Sequence, residues 1–142
     1  MSLQPGTYNI INAKSGTALD LNDSEIDPIA GHPSHGGESQ KWCLEQIFAS
    51  QWTIRNVQSG GYLHVEGNED GTSVTLSDVP FGWDIKPEQA DPNEVRIYIP
   101  DTSTPINVDL ADFGSTTSGT PVVIFKKWDG KNQIWRLQQV EI

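Results

Sequence analysis

The chain has 142 residues and a net charge of −10, long enough to bury one hydrophobic core as a single domain. With 9 basic residues against 19 acidic ones it has no basic stripe to replace phosphate counterions, which excludes nucleic acid and anionic membrane surfaces as partners. No apolar run approaches the roughly 18 residues of a membrane span, and the opening Met1–Thr7 lacks the basic and apolar regions of a secretory signal, so a soluble cytoplasmic protein is expected, with no membrane insertion.

The first element is a strand–turn–strand phrase, Tyr8–Leu21, which recurs as Trp52–Val65 and Ile97–Leu110. The copies align without a gap, so that Ile10, Ile54 and Ile99 coincide, as do Leu19, Leu63 and Val108. Recurrence of this kind marks one supersecondary unit used repeatedly. Each copy continues into a third strand, at Pro28–Ala30, Ser73–Leu76 and Pro121–Phe125, two of them entered through a Gly-Thr pair. A fourth strand follows at Gln40–Leu44, Phe81–Ile85 and Gln133–Leu137, each with one tryptophan: Trp42, Trp83 and Trp135. The stretch Lys86–Glu94 contains Pro87 and Pro92 and reads as a loop, not a helix. Gly114–Gly119 reads as a hairpin tip.

Short alternating strands separated by Gly, Pro, Asn and Asp indicate an all-β protein. We expect one domain over residues 1–142, with twelve short strands in three repeats, about 3–47, 48–90 and 91–142, closed into a pseudo-threefold barrel. The three tryptophans are expected inside it.

Chemistry-bearing side chains are few. One cysteine, Cys43, excludes an internal disulfide and suits a reducing compartment. Alternation places it opposite Trp42 and Leu44, as a structural thiol. His32, His35 and His64 are the only histidines; no nucleophile stands beside a base in a recognisable motif, so no enzyme is expected. Pro33 between His32 and His35, with no third soft ligand nearby, argues against zinc. The acidic stretch Asn22–Asp27 lacks the calcium-loop pattern. No metal and no cofactor are expected.

Two repeats end in Gln-x-Trp, Gln40–Trp42 and Gln133–Trp135, and the same two open with an Asp between aliphatics, at Leu19–Leu21 and Val108–Leu110. With the opening Pro5–Tyr8, these phrases make the chain resemble the ricin B-type β-trefoil lectins, closest to the small cytosolic lectins of mushrooms. The resemblance spans about Leu3 to Val140. It implies a β-trefoil that binds terminal β-galactose or N-acetylgalactosamine in shallow sites, one available per repeat.

A pyranose offers one apolar face, which an aromatic ring covers, and a rim of hydroxyls. A carboxylate accepts two neighbouring hydroxyl protons through charge-assisted bonds, and a primary amide both donates and accepts. By the resemblance, the third repeat holds the full set: Asp109 as carboxylate, Trp128 as platform, Asn132 and Gln133 as amides. The first holds Asp20, His35 where Trp128 stands, Gly37, Ser39 in place of the Asn, and Gln40; the glycines common after the Asp phrase are replaced by Asn22, Asp23 and Ser24. The second has His64 at the Asp position, Pro80 at the platform position and Phe81-Gly82 at the Asn–Gln end, and is expected to be silent.

The expected partners are therefore glycans of glycoproteins or glycolipids, met through two sites in one chain or in a homodimer, in a defensive role. Two alternatives belong to other classes. One is a trefoil protease inhibitor acting through a loop such as Asn22–Asp27 or Glu88–Asn93, although neither carries an inhibitory motif. The other is a non-sugar-binding subunit of a larger enzyme.

Overall fold

In the computed structural model, residues 3–48 and 50–140 are described. These residues form twelve strands: β1 (Gly6–Asn12), β2 (Ala18–Leu21), β3 (Ile29–His32), β4 (Trp42–Phe48), β5 (Gln51–Asn56), β6 (Tyr62–His64), β7 (Thr75–Ser77), β8 (Trp83–Pro87), β9 (Glu94–Tyr98), β10 (Ile106–Leu110), β11 (Thr120–Lys126) and β12 (Trp135–Gln139). Every pairing between them is antiparallel.

Six strands close on themselves. β1 pairs β4, β4 pairs β5, β5 pairs β8, β8 pairs β9, β9 pairs β12, and β12 returns to β1. The other six form three hairpins, β2–β3, β6–β7 and β10–β11, which meet at one end through β3–β11 and the bridge Ser73–Val123. A six-stranded barrel capped by three hairpins, each repeat giving two barrel strands and one hairpin, is a β-trefoil.

Alternation decides which residues fill it. Trp42, Trp83 and Trp135 are wholly buried, with Ile10, Leu19, Leu44, Ile54, Leu63, Ile97 and Val108 around them. Burying an indole of this size is worth about 4–6 kcal/mol in transfer free energy before entropy is subtracted. Each indole N–H is satisfied in the same way: Nε1 donates to the carbonyl of Leu19, Leu63 or Val108 at 3.0, 3.0 and 3.1 Å. The residue after each of those carbonyls is Asp20, His64 or Asp109, so the core anchor lies directly beneath the position that distinguishes the lobes. Cys43 sits between buried Trp42 and Leu44 and faces away from them; burial pushes its thiol pKa up, with Glu45 adding to the rise and Arg55 opposing it.

One feature departs from the sequence reading, and one turn lies outside it. The gapless alignment slips in the third repeat: Ile99 donates its N–H to Ile106 as Asn12 does to Thr17 and Asn56 to Gly61, so Ile97, not Ile99, is the partner of Ile10 and Ile54. The third hairpin turn is two residues longer, a length absorbed between Pro100 and Pro105, where Asp101 adopts φ 61°. The turn Ala111–Gly114 is left-handed at three consecutive residues: Asp112 (φ 53°), Phe113 (56°) and Gly114 (82°). Only the last is a glycine, and a Cβ there would meet Lys14 and Asn132 within 3 Å.

Candidate functional site

Two lobes carry the same cradle. In the third, β10 presents Asp109, which is 5% exposed, and the short 3-10 turn Lys131–Gln133 brings two amides against it. Asn132 Nδ2 donates to Asp109 Oδ1 at 3.0 Å and Gln133 Nε2 to Oδ2 at 2.8 Å. Both amides also donate to backbone, Asn132 to the Leu110 carbonyl and Gln133 to that of Lys126, each at 3.0 Å. Gln133 Oε1 accepts the Trp128 backbone N–H at 3.0 Å, which ties the loop bearing the indole to the carboxylate. Trp128 stands 41% exposed at the rim. Burial pushes the Asp109 carboxyl above its ordinary value, donors on Gln133, Trp128 and Asn132 pull it partly back, and the Asp70 charge adds to the rise. The result is a buried acceptor beside an exposed ring, at the mouth of a cavity of about 380 Å³.

The first lobe repeats this with fewer parts. Asp20 on β2 is 4% exposed, and Gln40, at the end of the 3-10 turn Glu38–Gln40, donates to its Oδ2 and to the Pro33 carbonyl, both at 2.9 Å. Gln40 Oε1 accepts the His35 N–H at 3.0 Å, matching the Trp128 bond. The imidazole stands over the carboxylate, His35 Nε2 lying 3.6 Å from Asp20 Oδ2. Ser39 supplies nothing in place of Asn132, so Asp20 Oδ1 is buried without a partner among the described residues.

Gly37 and Gly130 occupy matching places, each two residues after the ring residue. A Cβ at Gly37 would come within 2.7 Å of the His35 ring, and one at Gly130 within 2.2 Å of the Trp128 indole. The missing side chain lets each ring fold back over the turn. The Gly37 N–H also donates to His35 Nδ1 at 2.9 Å, which orients the imidazole. Asn22, Asp23 and Ser24 form a polar rim; Asn22 Oδ1 lies 2.9 Å from His32 Nε2, and the Asn22 N–H is committed to the Pro28 carbonyl.

In the second lobe the cradle is filled. Counting back from the shared tryptophan puts Phe81 at the glutamine position and Pro80 at that of Ser39 and Asn132, so the reading of Pro80 as the platform is corrected. Phe81 packs edge-on between His64 and Trp83, at centroid distances of 4.9 and 4.8 Å. His64 turns to Glu66, 3.0 Å away. An apolar ring has taken the space of the amide, and no carboxylate stands at its base.

The sequence reading missed two parts of the third lobe. Phe113, 77% exposed, sets its ring 6.0 Å from that of Trp128 at 85°, an edge-to-face pair that gives the cavity a second aromatic wall. Behind the cradle, Arg96 on β9 donates to Gln133 Oε1 and to the Trp128 carbonyl, both at 3.0 Å. Neither has a local signature: Phe113 depends on a left-handed turn its sequence does not announce, and Arg96 on a contact between distant strands. Among the described residues no group of three or more His, Cys, Asp or Glu side chains could hold a metal, and no helix is long and apolar enough to cross a membrane.

The family model for ricin-type beta-trefoil lectin domain-like sequences matches residues 2–77. Across its full length the chain is similar to the ricin B-like lectin of Macrolepiota procera, solved in complex with lactose. The two are 37% identical over 99% of this chain and 100% of the other, with a TM-score of 0.88. The Rhizoctonia solani agglutinin is 30% identical over 99% of each chain, with a TM-score of 0.87. The chain belongs to the ricin-type β-trefoil lectin family. A designed threefold-symmetric protein, 23% identical over 95% of this chain and 99% of its own, shares the fold at a TM-score of 0.83. Fold and family are those of carbohydrate-binding lectins.

Proposed function

We propose that this protein is a lectin that recognises terminal β-galactose or N-acetylgalactosamine through its first and third lobes, with the second silent. One observation carries the reading: an Asp–Gln bridge tied to a ring-bearing loop is built twice and replaced once by an aromatic plug. A scaffold alone would have no use for buried carboxylates beside exposed rings. The similar Macrolepiota procera lectin was solved with lactose, a β-galactoside, which supports the sugar class.

In the third lobe Asp109 accepts two neighbouring hydroxyl protons, Trp128 stacks on the apolar face of the pyranose, and Asn132 reads a ring hydroxyl. In the first lobe Asp20 and His35 play the same parts, with Ser39 and Gly37 on the rim. No bond is made or broken, so the protein binds without turnover and needs no metal; EDTA leaves binding intact. A single shallow site of this kind has about −4 to −8 kcal/mol of affinity. Two sites in one chain, or a homodimer, raise this through effective concentration, which leads to cell agglutination and a defensive role for a cytoplasmic lectin.

A glycan array and calorimetry with lactose test the reading on the wild type, Asp20→Ala and Asp109→Ala. Each substitution is expected to remove one site, with the fold intact. A folded wild type that binds no galactoside would refute it.

A further inference from the structure

We infer that Arg96 is a positioning residue of the third lobe, holding Gln133 and the Trp128 loop in the sugar-ready arrangement before ligand arrives. The inference rests on the lectin reading above and adds a part that does not touch the sugar.

Arg96 is 3% exposed, and a guanidinium at that depth carries a desolvation penalty that an ion pair seldom repays. Its nearest carboxylate does little to repay it. Glu88 Oε1 lies 3.6 Å from Arg96 Nε, which is buried without a hydrogen bond among the described residues. The strong contacts point elsewhere. Nη1 donates to Gln133 Oε1 and to Asn107 Oδ1, and Nη2 to the Trp128 carbonyl, all at 3.0 Å.

Two of these bonds fix something the site needs. A glutamine amide can lie either way round, and only one orientation turns its NH2 toward Asp109. Two donors on Oε1, the Trp128 N–H and the Arg96 guanidinium, select that orientation. The bond to the Trp128 carbonyl holds the peptide that carries the platform, so one cation secures both the carboxylate's bridge and the ring. Charge-assisted bonds are roughly twice as strong as neutral ones, and a site ordered in advance loses less freedom on binding.

The first lobe has no such support. Asn9 stands on β1 where Arg96 stands on β9, as the pairings of Asn12 and Ile99 fix the register, and Asn9 Oδ1 is buried without a partner among the described residues. Gln40 Oε1 accepts the His35 N–H, with no cation behind it among the described residues. The first lobe is thus an internal control.

The test is lactose calorimetry on Arg96→Gln and Arg96→Lys, each in an Asp20→Ala chain that leaves the third lobe and an Asp109→Ala chain that leaves the first. Side-chain amide NMR of Gln133 is read alongside. Arg96→Gln is expected to weaken the third lobe about tenfold or more, with the first lobe unchanged and the Gln133 NH2 resonances shifted. Arg96→Lys, which keeps the charge but reaches fewer acceptors, is expected to fall between. A folded Arg96→Gln with full third-lobe affinity overturns the inference. So does equal loss in both lobes, or failure of both variants to fold, since Arg96 would then serve the scaffold. Absence of lactose binding in the wild type would instead overturn the lectin reading, which separates the two failures.

Discussion

Gln40 and Gln133 perform one task in two lobes: each donates to its own aspartate, at 2.9 and 2.8 Å, and each accepts the backbone N–H of its ring residue at 3.0 Å. Changing either to glutamate replaces the donor with a second carboxylate and should abolish sugar binding in that lobe. The stability costs should differ. A glutamate at 133 faces Arg96, whereas one at 40 has no buried cation beside it among the described residues, so Gln40→Glu is expected to be the more destabilising by about 1–2 kcal/mol. Denaturant unfolding of the two variants measures this, and equal costs would count against the arrangement.

Ser39→Asn should repair the first lobe. Among the described residues Asp20 Oδ1 is buried without a partner, where Asn132 serves Asp109. Supplying the missing donor is worth about 1 kcal/mol of stability, and lactose affinity in an Asp109→Ala chain should rise with it. An unchanged melting temperature and affinity would show that Oδ1 needs no donor from the protein.

Phe113→Gly sets several small effects against one another. Relief of the left-handed conformation is worth about 1–2 kcal/mol. Against it stand about 0.5–1 for glycine's backbone freedom and about 0.5–1.5 for the lost edge-to-face pair with Trp128. Stability should therefore move by less than about 1 kcal/mol while third-lobe affinity drops several-fold. A large loss of stability with affinity retained would make the ring a structural prop.

Acid should weaken the third lobe without destabilising the fold through Asp109. Burial holds its carboxyl above the ordinary 3.8. A folded-state value above the unfolded one means that protonation favours the fold: the contribution is fully present below the unfolded value and is lost as the pH rises through the folded one. The sugar needs the ionised acceptor, so binding in an Asp20→Ala chain should decline as the pH falls through the raised value. Lactose titrations from pH 7 down to the ordinary carboxylate range would detect this; an affinity still flat when an ordinary carboxylate protonates would contradict it.

Phe81→Ala should cost about 2 kcal/mol, less than a fully buried phenylalanine because the ring is only partly enclosed. Galactoside binding should not change. Loss of binding would reveal a third active lobe.

The strands and the three inward tryptophans were legible because they obey local periodicity and repeat, whereas the grouping of Asp20 with Gln40 and of Asp109 with Gln133 came from the family resemblance. What escaped was set by geometry between repeats. The longer turn at residues 100–105 keeps the apolar alternation while sliding it by one full strand period, so Ile99 mimicked Ile97. The left-handed turn at Asp112 and Phe113 carries residues that ordinarily avoid that backbone region. Arg96 reads as one surface charge on a strand until β9 and β12 are seen side by side with the Gln133 turn between them.

The indole anchors under Asp20, His64 and Asp109 have a consequence for how such a molecule diversifies. Because each tryptophan grips the peptide just ahead of the variable residue, an exchange at that residue leaves the chassis where it was. Valency can thereby be lowered slot by slot through single exchanges at Asp20 or Asp109, whereas opening the second slot takes more than one change, because Phe81 fills it and His64 stands at its base.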